Sequence, residues 1–133
     1  MSLFKFIDFD VRGDDRGLLV ALEANKNVPF DIKRIYYLTK LSPHLPRGFH
    51  AHKALRQLAI CISGSCQMLF DDGITKEVRE LNSHATGVLI EPGIWHEMHS
   101  FSADCIFLVL ASEPYDEADY VRTYEDFLKW RQA

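Results

Sequence analysis

The sequence predicts a mostly β fold, a barrel or sandwich with a short C-terminal helix, and three observations carry that expectation. Short β-prone runs recur along the chain, clusters of turn residues separate them, and helical spacing appears only near the C-terminus. In order, the runs are "LLVALE" (18–23), "IKRIYYLT" (32–39), "LRQLAICI" (55–62), "CQMLF" (66–70), "TGVLIE" (86–91) and "CIFLVLA" (105–111). Several follow one another at the spacing of about 8 to 12 residues found in sandwiches and barrels. Turns fall at Gly13 to Gly17, Asn25 to Pro29, Ser42 to Gly48, Ser63 to Ser65, Asp71 to Gly73 and Glu91 to Gly93. The "DDG" at 71–73 reads as a hairpin turn, because Asp and Gly tolerate positive φ. In "RTYEDFLKWRQA" (122–133), Thr123 can cap a helix with Asp126 three residues on, and Phe127, Trp130 and Arg131 continue at helical spacing. Either a helix lies there against the barrel or a partner subunit, or the segment is an amphipathic tail that frays.

The chain of 133 residues, 47% of them hydrophobic, suffices for one core, so residues 1–133 are expected to form a single domain. A net charge of −4 and scattered arginines and lysines argue against a nucleic-acid partner. The start, "MSLFKFIDFDVRGDD", lacks a signal-peptide profile, and "CIFLVLA" is far short of the roughly 20 residues that cross a bilayer. A soluble cytoplasmic protein with no membrane partner is the expectation. Cys61, Cys66 and Cys105 form no C-x-x-C pair and read as small buried apolar residues.

The chemistry concentrates in "PRGFHAHKALRQ" (46–57) and "EPGIWHEMHSF" (91–101). On a strand, residues two apart share a face, which sets His50 beside His52. Continued, that parity gives Ala54, Arg56, Leu58, Ile60 and Ile62, a face running from a polar mouth to a packed floor unless a bulge breaks the register. His96 and His99 make the second cluster. A single histidine is more often an ordinary polar residue, but paired inward imidazoles have little structural use in a small β domain.

This layout resembles the cupin superfamily, with "HAHKALRQLAICISG" (50–64) as its first motif and "GVLIEPGIWH" (87–96) as its second. The resemblance implies a cupin-type jelly roll. Where metal-binding cupins carry an acid after the paired histidines, this chain is read as carrying Arg56, whose guanidinium has no lone pair and would repel a cation. Three imidazoles, His50, His52 and His96, could still hold zinc or iron. Neutral histidines near their usual pKa of about 6.5 suit proton transfer, which is the preferred reading.

The stretches "EANKNVPFDIKRIYYL" (23–38), "PRGFHAHK" (46–53), "GSCQMLFDDG" (64–73), "WHEMHSFSADCIFLVLAS" (95–112) and "YDEADYVRTYEDF" (115–127) are similar to the dTDP-4-keto-6-deoxyglucose 3,4-ketoisomerases, over nearly the whole chain. That resemblance implies a homodimer, a dTDP-linked 4-keto-6-deoxy sugar, no required metal or cofactor, and a product later aminated for surface glycans. It makes His50 and His52 the catalytic pair. Moving a ketone from C4 to C3 needs a base at a carbon acid, an enediol, and a donor near the oxygens. Tyr37 is a candidate phenolic proton source, although one of Tyr36 and Tyr37 must face away. Arg16, Arg34 and Arg47 are candidates for the diphosphate, and Arg47 or Arg56 for enediolate charge. Trp95 either stacks on the substrate or is a core aromatic, while His96 and Glu97 line or orient the cavity. The rivals are a metal-dependent cupin enzyme, a nucleotide-sugar 3,5-epimerase and a non-catalytic sugar binder.

Overall fold

The computed structural model describes residues 3–133. Its strands are β1 (Lys5–Asp8), β2 (Val11–Asp14), β3 (Gly17–Val20), β4 (Arg34–Leu38), β5 (Arg47–His52), β6 (Gln57–Ser63), β7 (Cys66–Asp71), β8 (Lys76–Leu81), β9 (Thr86–Ile90), β10 (Trp95–His99), β11 (Ile106–Ala111) and β12 (Tyr120–Val121), followed by helix α1 (Tyr124–Gln132). Two five-stranded sheets, ordered β1-β9-β6-β11-β4 and β12-β5-β10-β7-β8, face each other as a jelly roll, and β2–β3 stands apart as a hairpin. Every named strand pairing is antiparallel.

Alternation builds the space between the sheets. Ala59, Cys61, Met68, Phe70, Val88, Met98, Phe107 and Val109 point into one buried cluster. Each fully buried phenylalanine there contributes about 2–3 kcal/mol of apolar burial. All three cysteines are buried, with Cys61 Sγ 3.6 Å from Cys66 Sγ and 3.8 Å from Cys105 Sγ, as their reading as core residues anticipates. The opposite face of the first sheet carries Leu58, Ile60, Leu89 and Leu110 against Phe9, Val28 and Phe30.

The "DDG" hairpin forms between β7 and β8. Asp72 Oδ1 accepts from the amides of Ile74 and Thr75, and Gly73 takes φ +96°. The C-terminal segment is a docked helix: Thr123 caps it by accepting from the Asp126 amide, and Phe127 is fully buried against Ala51, Trp95 and Val121. No helix among the described residues is long and apolar enough to cross a membrane.

The single-face parity proposed for residues 50–62 holds only to His52. The chain leaves the second sheet there, and residues 53–56 cross to the first sheet, where β6 restarts with Gln57, Ala59 and Cys61 inward. Arg56 therefore points away from the cavity. Its Nε donates to Glu91 at 2.8 Å, its Nη1 donates to the Pro29 carbonyl, and its guanidinium covers the Phe30 ring.

Candidate active site

Cross-strand pairing assembles the site. In the second sheet, His50 of β5 lies opposite His96 of β10, and His52 lies opposite Tyr120 of β12. A bulge at Phe49 (φ +61°) sits beside the first pair, next to Gly48 at φ +92°, where a Cβ would meet the His96 carbonyl at 3.0 Å. That close approach explains the glycine of the "RG" element. The rings of His50 and His96 stand 4.6 Å apart, those of His50 and His52 5.1 Å, and one nitrogen of each lies within 4.8 Å of the others. Tyr120 closes one side, its ring 4.3 Å from His52 and 5.1 Å from His50, with the Arg122 guanidinium 4.1 Å from the Tyr120 centroid.

Each imidazole has its tautomer set by an acceptor. Nδ1 of His50 contacts the Gly48 carbonyl at 3.1 Å, Nδ1 of His96 the Ile94 carbonyl at 3.2 Å, and Nδ1 of His52 the Asp119 carboxylate at 3.1 Å. A carbonyl or carboxylate only accepts, so each Nδ1 carries the hydrogen and each neutral ring keeps its lone pair at Nε2. Burial, with His52 beside it, holds His50 down to about 4. Complete burial and its two neighbours hold His96 well below the ordinary value. Burial also lowers His52, against the opposing pull of Asp119. Asp119 is itself anchored by the amides of Ala54 and Leu55. Three neutral imidazoles oriented in this way can take protons, and the same donor set could hold zinc or iron. Arg56 lies outside the cavity and does not itself oppose a cation there; the neutral Gln57 occupies the inward position instead, while Arg47 and Arg122 line the same cavity.

His50 and His96 line a cavity of about 430 Å³ between the sheets, with Arg47 at its rim and Tyr36, Gln57 and Met68 deeper in its wall. His52, Asp119 and Arg34 line a neighbouring cavity of about 500 Å³ that shares Tyr120 with the first. Arg34 lies between the rings of Tyr36 and Tyr115.

The structure thus gathers His50, His52, His96, Arg34 and Arg47, and it does not gather the other candidates. Tyr37 faces outward and is 68% exposed, because alternation on β4 turns Tyr36 inward instead. Trp95 is a core aromatic beneath α1, and Glu97, on the same outer face of β10, accepts from Trp95 Nε1 and pairs with His99. Arg16 sits at the β2–β3 turn in an ion pair with Asp14. Sequence reasoning missed Tyr36, Gln57, Asp119 and Tyr120. The "HAH" parity offered a signal only for the strand it belongs to; Asp119 reaches His52 across 67 positions of sequence from the end of a single 3-10 turn, just before a two-residue strand with no pattern of its own.

Inward imidazoles with defined tautomers, set in a jelly-roll cavity, form a site able to bind a small polar ligand and exchange protons with it. Comparison narrows that chemistry. The family model described as WxcM-like, C-terminal (FdtA) matches residues 2–132, and the chain belongs to that family. The chain is 51% identical over 126 residues, 95% of its length and 91% of the relative's, to the TDP-4-oxo-6-deoxy-alpha-D-glucose-3,4-oxoisomerase of Aneurinibacillus thermoaerophilus. Among solved structures, a 3,4-ketoisomerase from Helicobacter canadensis superposes with a TM-score of 0.96 at 43% identity, covering 98% of both chains. A mutant of the 3,4-ketoisomerase QdtA from Thermoanaerobacterium thermosaccharolyticum, in complex with TDP-4-keto-6-deoxyglucose, matches with a TM-score of 0.96 at 38% identity, covering 99% of this chain and 96% of that one. This family member is an isomerase.

Proposed function

We propose that the chain converts TDP-4-keto-6-deoxyglucose to a TDP-3-keto-6-deoxyhexose, the activity borne by the name of its relative and matched by the ligand of QdtA. The observation that carries the mechanism is the contact of His52 Nδ1 with Asp119 at 3.1 Å. His52 Nε2 removes the C3 proton, and the Asp119 carboxylate stabilises the imidazolium so formed; the same nitrogen then returns the proton to C4 of the enediolate. His50 and His96 have only carbonyls at Nδ1 and are poorer proton stores. His50 accordingly relays the proton between the two oxygens. Arg47 at the rim contacts the diphosphate, and Arg34 supplies positive charge from the neighbouring cavity.

The chain works as a cytoplasmic homodimer in biosynthesis of an amino sugar. Supporting the dimer, the unattached β2–β3 hairpin presents Leu18 and Leu19, and the outer face of the first sheet presents Ile35, Tyr37 and Ile62, all exposed in the single chain. Light scattering after gel filtration should give twice the chain mass, and Ile35→Glu with Tyr37→Glu should halve it.

The decisive assay incubates the protein with TDP-4-keto-6-deoxyglucose in deuterated buffer and follows the sugar by NMR. A 3-keto sugar is expected; deuterium at C5 would make the chain a 3,5-epimerase, and an unchanged sugar would leave it a binder. A metal-dependent reaction is the second reading, favoured by the three nitrogens within 4.8 Å of one another. Activity that survives dialysis against a chelator, with metal analysis confirming removal, is the expected result.

A further inference from the structure

Three buried side-chain polar atoms among the described residues lack a hydrogen-bond partner: Arg34 Nε, His52 Nε2 and Gln57 Oε1. Such atoms cost free energy in a finished interior, and a binding cavity is one place where a ligand compensates them. His52 Nε2 is the base assigned above. Gln57 has no role in that mechanism. It is only 2% exposed, lines the 430 Å³ cavity together with His50 and His96, and stands on the first sheet facing the histidines of the second.

Its amide is oriented by one contact. Gln57 Nε2 donates to the Tyr36 hydroxyl at 2.8 Å, which leaves Oε1 as an acceptor without a donor. Tyr36 also lines this cavity, and burial pushes its phenol up to about 12, so it keeps its hydrogen at neutral pH. Because Tyr36 accepts from Gln57, its own O–H is free to donate. The cavity wall opposite the imidazoles therefore offers one donor and one acceptor side by side. That is the complement of two neighbouring oxygens on a sugar, one of them a hydroxyl.

We propose that Gln57, oriented by Tyr36, is a substrate-contacting residue whose Oε1 accepts a hydrogen bond from a hydroxyl of the sugar while Tyr36 donates to the adjacent oxygen. The pair holds the ring against His50 and His96, which line the same cavity, and makes that cavity selective for a hydroxylated sugar over an apolar ligand of the same size. The inference rests on the ketoisomerase reading and deepens it.

The test compares Gln57→Met, which keeps length and volume and removes the acceptor, with wild type in three measurements: kcat/KM for TDP-4-keto-6-deoxyglucose, the Kd for TDP alone, and the thermal midpoint. The expected result is a loss of about 10- to 100-fold in kcat/KM, the scale of one unsatisfied buried polar group, with the Kd for TDP unchanged. Gln57→Glu, which keeps an acceptor oxygen but cannot donate to Tyr36, should not recover the loss, because the Tyr36 hydroxyl would then donate to the carboxylate rather than to the sugar. If Gln57→Met melts early, Gln57→Asn, which withdraws the amide by one methylene, carries the same expectation. Wild-type kcat/KM in a variant lacking the acceptor would overturn the proposal and leave Gln57 hydrated or structural. Equal weakening of TDP and the sugar nucleotide would overturn it as well. A wild-type protein that turns nothing over would instead remove the ketoisomerase reading itself.

Discussion

His52 and Asp119 show how one contact separates two histidines that look alike on a strand. His52 is buried and His50 half-buried, and both have lowered pKa values, yet only His52 has a carboxylate behind it. His52→Asn should reduce kcat by about 100-fold or more while leaving TDP affinity intact, and Asp119→Asn should follow in the same direction with a smaller loss, as stopped-time NMR assays would measure. The pH profile offers a separate check. Because burial depresses all three imidazoles, the acidic limb of kcat/KM should fall below the usual imidazole value of about 6.5. Asp119 raises His52, so Asp119→Asn should move that limb lower still. At this scale the histidines were legible because their chemistry is carried by residue type, and Gln57 was not, because an amide acquires meaning only from what surrounds it.

Two elements decide where those side chains go. Strand β5 delivers both histidines to one face, as a period of two requires, and the break after His52 reassigns everything that follows. One residue of slip at that crossing turns Arg56 out and Gln57 in. Helix α1 then buttresses the sheet from behind: Phe127 and Trp95, with ring centroids 5.7 Å apart, pack beneath Ala51, the residue between the two histidines. Phe127→Ala should cost about 3–5 kcal/mol in urea unfolding, and Thr123→Ala about 1 kcal/mol through loss of the cap. The helix and its cap could be read from local spacing. The role of β12 could not, since a two-residue strand carries no periodicity and is defined only by pairing with β5.

For the whole molecule, the buried imidazoles couple folding to pH. The pKa of His50 falls from 6.5 to about 4 on folding, so the unfolded chain binds more protons between those values. Stability is fully present above pH 6.5 and is lost as the pH falls toward 4, with His50 alone contributing on the order of 3 kcal/mol. Urea midpoints measured from pH 7.5 down to 4.5 should decline accordingly, and His50→Asn should flatten the decline. The sequence by itself determined the β-rich class, the helical spacing at the C-terminus, the buried cysteines and the shared face of His50 and His52, because each follows from local periodicity, turn chemistry or residue polarity; that the C-terminal segment docks as a helix rather than fraying was decided by its packing. Only the tertiary structure decided that Tyr36 rather than Tyr37, and Gln57 rather than Arg56, face the cavity, and that Asp119 and Tyr120 complete it. Those assignments depend on which strands cross between sheets and which distant segments pair, and contacts across 67 residues leave no trace in local spacing.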